Sequence, residues 1–501
     1  MSTFRGLEMS RQALSTQQSA LYTTGHNISN ANTPGYSRQR VNMQAMNGYP
    51  TPGMNSPHLP GQMGTGVEVG SVQRIRNQFL DTQFRAENAS VGYWSERTAA
   101  LSRMENLLNE PSDSGIEAAM SDFWSSLQEA AANPTNNGAR AVVLKRGESL
   151  ADTFNHLSKS MNTIRTDLQK ETENTIDKAN AMIDQLDSLN SQIKKLEIHG
   201  YNANDLYDKR DNILDELSEI VNIEVEYDGS HIPNGKQGDG VATVNIIIAD
   251  GDPVNIVNGV TGEIQKISKP DPDDPDDQFY REIDGMKVFD KITVGGVDIT
   301  SSKGSIQSYV HASGYVVGEG DDAEVKGDYP EMLEKLDKLA YAIVNSLNEV
   351  YKEGDPDASF FNELSDSKGA AGKMTVALED YKDIIVSTDE NAKNGDLAKK
   401  MADIFTNPND DLGGVSVNGY LESIVGDVGV KTSHAITMLD STATLQHQVS
   451  NQRQSISAVS LDEEMTNMIK FQHAYNAAAR GMTAMDELID TIINRMGLVG
   501  R

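Results

Sequence analysis

The residue types that could do chemistry in this chain are few, and their spacing does not assemble a site. The run Asp271-Pro-Asp-Asp-Pro-Asp-Asp277 has the oxygen donors that calcium takes, but lacks the glycine and the distal Glu of an EF-hand loop. It reads as a solvated loop. His26, His434, His447 and His473 fall in helical stretches without an accompanying His-Glu-x-x-His or Gly-x-Ser-x-Gly, so neither zinc hydrolysis nor nucleophilic catalysis has its parts. Gly318-Glu-Gly320 is too short to cradle phosphate, and no GxxxxGK[ST] stretch occurs. A stripe of methionines near the C-terminus reads as packing, because thioethers alone select only soft copper. No catalytic, cofactor-binding or metal-ligating residue is expected, and no cofactor.

Composition narrows the partners. With 43 basic and 74 acidic residues the formal charge is -31, which repels phosphate backbones and anionic lipid surfaces. Neither nucleic acid nor membrane is an expected partner, and no apolar run approaches spanning length. Cysteine is absent, so the fold must rest on packing alone. The opening MSTFRGLEMSRQALSTQQ has no basic segment followed by an apolar run, so a Sec-type signal peptide is not expected. At 501 residues the chain is long enough for about three domains.

The strongest patterns are at the two ends. Leu7, Leu14, Leu21 and Ile28 recur every seven residues among Ser, Thr and Gln, which predicts a helix with one narrow apolar seam. Such a helix is marginal alone and needs a partner. It should give way at Asn27-Ile-Ser-Asn-Ala-Asn-Thr-Pro-Gly35, where Asn side chains compete for backbone hydrogen bonds and Pro34-Gly35 favours a type II turn. Near the C-terminus Leu461, Met468, Tyr475, Met482, Ile489 and Met496 recur every seven residues, and Phe471, Met485 and Ile492 supply the second seam position. Ser460 with Glu463 forms a capping box at its start. Two narrow seams are most simply buried against each other, with further copies of the chain supplying additional contacts.

Between the ends, the prolines of 48–66 predict extended chain and the periodicity of 72–108 predicts helix. A long bundle helix is expected over 139–198, from Leu150, Phe154, Leu157, Met161, Ile164 and Leu168 and then Ile176, Ile183, Leu186 and Ile193. Short alternating segments between Gly, Asp and Pro predict strands from 221 to 300, and helix returns at 330–350. The expected fold is α+β, with paired N- and C-terminal coiled-coil helices, an elongated helical-bundle domain and inserted mainly-β domains. The expected division is 1–66 with 460–501 as terminal coiled-coil domain and extended linker, and 67–225 with 330–353 and 430–459 as helical bundle. An inserted β domain at 226–329 and a smaller mixed insertion at 354–429 complete it.

The segment Thr24-Gly-His-Asn-Ile-Ser-Asn-Ala-Asn-Thr-Pro-Gly-Tyr-Ser-Arg-Gln39 resembles the N-terminal signature of the flagellar rod, hook and hook-associated proteins. Its carriers are Asn27, Asn30, Asn32, Pro34, Gly35 and Tyr36. Leu461-Asp-Glu-Glu-Met-Thr-Asn-Met-Ile-Lys-Phe-Gln-His-Ala-Tyr475 is similar to that family's C-terminal signature, and Asn109-Glu-Pro-Ser-Asp-Ser-Gly115 and Asp205-Leu-Tyr-Asp-Lys-Arg-Asp211 also look like it. The resemblance implies a non-enzymatic, secreted structural subunit of the bacterial flagellum at the hook-to-filament junction. The implied partners are its own copies in a ring, the flagellar hook protein, hook-associated protein 3, an export chaperone and the type III export apparatus. Another axial protein, hook or rod, is the alternative, and an enzyme or adhesin carried on the β insertions is the reading from a different class.

Overall fold

The computed structural model describes residues 4–50, 61–108, 115–233, 238–249, 251–271, 278–318, 320, 323–388 and 394–495. Residues 109–114, residues 272–277 of the acidic run, Glu319 and the seam residue Met496 lie outside the described residues.

Helix α1 (Phe4–Ser29) opens the chain, and an antiparallel hairpin of β1 (Gln39–Ala45) and β2 (Val67–Arg74) follows it. Between them the Tyr36 N–H donates to the Thr33 carbonyl over 3.2 Å and Gly35 has φ +74°, which is the type II turn that Pro34-Gly35 favours. A Cβ on Gly35 would meet the Asn212 amide at 1.9 Å, so only glycine fits.

The body begins with α2 (Gln78–Leu108), α3 (Ile116–Ala132), α4 (Asn137–Ile198) and α5 (Asn204–Ile220). Asn136 caps α4, accepting from the Gly138 N–H at 2.8 Å, and its 62 residues give a rod of about 90 Å. Strands β3 (Ile223–Asp228), β4 (Val241–Ile246), β5 (Val254–Asn258) and β6 (Glu263–Ile264) form one antiparallel sheet in chain order. Next come β7 (Tyr280–Ile283), β8 (Met286–Phe289), a hairpin of β9 (Thr293–Val294) and β10 (Val297–Asp298), α6 (Ser305–Ser313), β11 (Tyr315–Val317) and β12 (Glu324–Lys326). A second sheet has the order β12-β11-β8-β7, with β11 parallel to β8. The chain then runs through α7 (Asp328–Tyr351), α8 (Asp396–Asp403), a short hairpin of β13 (Pro408–Asn409) and β14 (Val415–Ser416), α9 (Val417–Ser457) and α10 (Leu461–Asp490). The architecture is α+β: paired terminal helices, an elongated helical body and inserted strands.

Helix α4 joins two hydrophobic cores. Its N-terminal half packs with α2, α3 and α7–α9 around Phe123, whose ring lies 5.6 Å from Phe360, 6.2 Å from Phe361 and 5.9 Å from Phe405. Its C-terminal half, through Ile176, Ile183 and Leu186, shares a core with Leu214 and Leu217 of α5 and with the strand residues Val244, Ile256 and Val294. Residues 354–429 thus share the bundle's core, and the strands of 226–329 share theirs with α4 and α5. Sequence spacing does not show this, because the contacts are made between residues far apart in the chain.

Three elements differ from the pattern-based expectation. Hairpin β1–β2 occupies 39–45 and 67–74, where its polar, half-buried residues carry no strong alternation and 72–74 reads as the start of a helix. Helix α9 starts at Val417, inside the expected mixed insertion and well before the expected bundle segment of 430–459, because Gly419, Gly426 and Gly429 dilute its pattern. Segment 226–329 also contains the helix α6.

None of the described hydrophobic cores contains a residue of α1, β1, β2 or α10. Amide hydrogens of α1 and α10 should therefore exchange faster in the isolated chain than those of α4, whose apolar stripe from Leu150 to Ile193 is buried in the cores at all but Ile164. Hydrogen-exchange mass spectrometry reads this directly, and equal protection would contradict it.

Candidate assembly site

Helices α1 and α10 run antiparallel against each other. Gly6 sits against Met485, whose sulfur would lie 2.9 Å from a Cβ placed there, Gly481 faces Ser10, and Asn27 bonds Glu464. These three pairs keep one register along the hairpin. Leu7, Leu14, Leu21 and Ile28 are half-buried, as are Met468, Phe471, Tyr475, Met482, Met485 and Ile489. Leu461 and Ile492 are exposed. One chain supplies both helices, and the seam between them leaves much apolar surface uncovered: Phe4, Met465, Ile469 and Leu488 are all more than half exposed.

The residues that α1 buries most deeply are Thr16, Ala20, Thr24 and Asn27 rather than its leucines. Small side chains let hairpin β1–β2 approach this face, and the Thr16 hydroxyl donates to the Val67 carbonyl at 3.2 Å as well as to Gln12 at 2.9 Å. A helix with a narrow seam thus has a second covered face. Heptad reasoning misses it because Thr and Ala carry no hydrophobic signal.

The N- and C-terminal signatures meet at the end of this hairpin. Asn27 is 1% exposed, and its whole amide is bonded. Its Nδ2 donates to the Gln39 carbonyl at 2.8 Å and to Glu464 Oε2 at 3.1 Å, while its Oδ1 accepts from the Gln39 N–H at 3.0 Å and the Tyr36 hydroxyl at 2.8 Å. Burial, with the charges of Asp205, Asp208 and Glu464 nearby, pushes the Tyr36 hydroxyl well up, so it remains a donor at any ordinary pH. His26 Nδ1 lies 2.9 Å from the same hydroxyl. Arg38 crosses to α10, its Nε 2.8 Å from Glu464 Oε1 and its Nη1 2.6 Å from Glu463 Oε2. The Ser460 hydroxyl accepts from the Glu463 N–H at 3.5 Å, which starts α10 with its acids facing Arg38.

Asn30 and Thr33 brace the turn, the Asn30 Nδ2 donating to the His26 carbonyl at 3.0 Å and the Thr33 hydroxyl to Asn30 Oδ1 at 3.2 Å. Asn32 and Pro34 are exposed on it. The pairing of Arg38 with Glu463 and Glu464 has no signal in the sequence, since no local spacing pairs residues more than 400 positions apart. Replacing Asn27 with Asp would set a carboxylate beside Glu464 and remove two donors. Asn27→Asp should cost about 1–3 kcal/mol, read as earlier proteolysis at the 30–38 turn with an unchanged body melt.

Residues 101–361 match a family model described as the flagellar hook-associated protein FlgK helical domain. Residues 7–36 match the flagella basal body rod protein model and 450–496 the flagellar basal body rod FlgEFG protein C-terminal model. The chain is 40% identical over 520 residues to flagellar hook-associated protein 1 of Bacillus subtilis (strain 168), covering 100% of both. This chain belongs to the flagellar hook-associated protein 1 family. Within that family it is 26% identical to the Escherichia coli (strain K12) protein, over 96% of this chain and 98% of the other. The solved structure described as the flagellar hook junction protein FlgK from Burkholderia pseudomallei matches with TM-score 0.56 at 12% identity, covering 75% of this chain and 100% of that one. At that identity the likeness speaks for the fold alone. For this member of the hook-associated protein 1 family, the two rod-type matches contain Asn27 and Tyr36 on one side and Glu463 and Glu464 on the other, which bond to one another and to Arg38 and Gln39 just beyond the first match.

Proposed function

We propose that this chain is a structural subunit of the extracellular bacterial flagellum that forms the ring joining hook to filament, with its terminal hairpin as the assembling part. The observation that carries this reading is the full-length 40% identity to a flagellar hook-associated protein 1. The half-covered seam of α1 and α10 supplies its physical side. Apolar residues worth roughly 1.5–3 kcal/mol each on burial stay partly in water until neighbouring copies cover them. Leu7, Leu14, Leu21, Ile28, Leu461, Met468, Phe471, Tyr475, Met482, Met485, Ile489, Ile492 and Met496 are the interface in this proposal.

Hook protein below, copies of the chain alongside and hook-associated protein 3 above are the partners the position requires. Passage there runs through the type III export apparatus with a chaperone, as a chain that has no disulfides to reduce. In the same reading the terminal hairpin, the helical body and the inserted strands act as inner, middle and outer layers. Deleting the gene tests the junction role: intact hooks without filaments, with filament protein lost to the medium, are expected. Filaments on normal hooks would overturn it.

A further inference from the structure

The motif Asp205-Leu-Tyr-Asp-Lys-Arg-Asp211 has no part in the apolar seam and meets the joined signatures at their edge, where Asp205 Oδ1 accepts from the Gln39 amide at 3.0 Å. It lies on α5, where Asp208, Asp211 and Asp215, spaced by three and four residues, share one face. The chain passes between body and terminal hairpin twice, after β2 and after α9, and an arginine from each passage ends on this face. From the first, Arg74 Nη1 lies 2.6 Å from Asp211 Oδ2 and 3.0 Å from Asp208 Oδ1, and Arg76 Nη1 lies 3.2 Å from Asp211 Oδ2. From the second, Arg453 Nη1 lies 2.5 Å from Asp215 Oδ2. Arg85 Nε, in the first turns of α2, is 3.1 Å from Asp215 Oδ1, and the Ser37 N–H donates to Asp208 Oδ2 at 3.0 Å.

We propose that the acidic face of α5 positions the terminal hairpin, clamping both chain passages so that the hairpin leaves the body in one direction. The hairpin has no share in the body's hydrophobic cores, so apolar packing does not set its direction. Arginines held by buried carboxylates do: Arg74 donates to Asp208, and Arg85 and Arg453 donate to Asp215, and neither side of these charged pairs can leave without stranding the other out of water. Asp211 is the centre of the clamp, with a side chain 1% exposed and four arginines around it: Arg74, Arg76, Arg85 and Arg210. Asp208, Asp211 and Asp215 are thus positioning residues, which orient the assembling helices without touching a neighbour themselves.

The clamp belongs to a single chain, so it is tested without assembly, and its failure would leave the junction reading standing. The chain has no cysteine, so Gln18→Cys on α1 and Lys159→Cys on α4, both at exposed positions, can carry two spin labels. Double electron–electron resonance on the full chain should give one narrow distance distribution. Arg453→Gln, which frees only the α9 passage, and Asp211→Asn should each lose that narrow peak, while Arg453→Lys should keep it. Circular dichroism checks that the body remains helical, and if Asp211→Asn unfolds it the less buried Arg453 decides. A narrow peak that survives Arg453→Gln, a broad one in the unmodified chain, or one as broad in Arg453→Lys as in Arg453→Gln would each overturn the proposal.

Discussion

Cells whose only copy of this chain carries Leu14→Asp together with Met482→Asp are expected to build hooks, bear no filaments and lose filament protein to the medium. Both residues are half-buried on the facing helices α1 and α10. Each substitution removes apolar burial of roughly 1.5–3 kcal/mol and adds a carboxylate to a seam that neighbouring copies would have to dehydrate. The same pair should leave the main thermal transition of the purified chain in place, because neither helix contributes to the described hydrophobic cores. Normal swimming in this strain would show that the seam is not the assembling surface. A collapsed body melt would show that the hairpin does more for the monomer than its packing indicates.

The second large effect is expected at Asp211. Burial alone would raise its carboxyl, but the guanidiniums of Arg74, Arg76, Arg210 and Arg85 together hold it well below the usual carboxylate range. Asp211→Asn removes the carboxylate that all four share, leaving Arg210 without one while Arg74, Arg76 and Arg85 keep Asp208, Asp81 and Asp215, and should cost about 3–5 kcal/mol at neutral pH, measured by urea unfolding. The pH dependence follows from the sign of the shift. A carboxyl whose folded pKa is depressed contributes stability that is fully present above its unfolded value, near pH 4, and is lost as pH falls towards the folded value. Asp208 works in the opposite sense. Burial outweighs Arg74 there and raises its carboxyl, so its charged form costs stability at neutral pH and that cost is relieved on acidification. The unmodified chain should therefore lose stability below about pH 4, and Asp211→Asn should flatten that decline. An unchanged acid limb in the variant would remove Asp211 as its source.

The patterns that could be read in advance are those whose partners lie within a few residues. Ser460 caps α10 through Glu463, three positions on. Pro34 and Gly35 make their turn with Thr33 and Tyr36. The three-four spacing along α4 is buried as its stripe requires, except that Ile164 is only partly covered. Even the α9 error was local in origin, since its early glycines hide a helix that the bundle covers from Val417 onward.

The site was readable in kind but not in wiring. Leu7 to Ile28 and Leu461 to Ile492 declared two seams, and the signatures declared a family. That the seams pair within one chain, antiparallel and in the register set by Gly6 with Met485 and Asn27 with Glu464, comes only from the folded molecule. So do the clamp on α5 and the sharing of the body's core by residues 354–429. Heptads, caps and turns are written at sequence separations of seven or less, where backbone geometry alone fixes which side chains meet. Arg38 with Glu464 and Arg74 with Asp211 are brought together by the path of the whole chain, and nothing in the spacing of an arginine tells which carboxylate will be buried beside it.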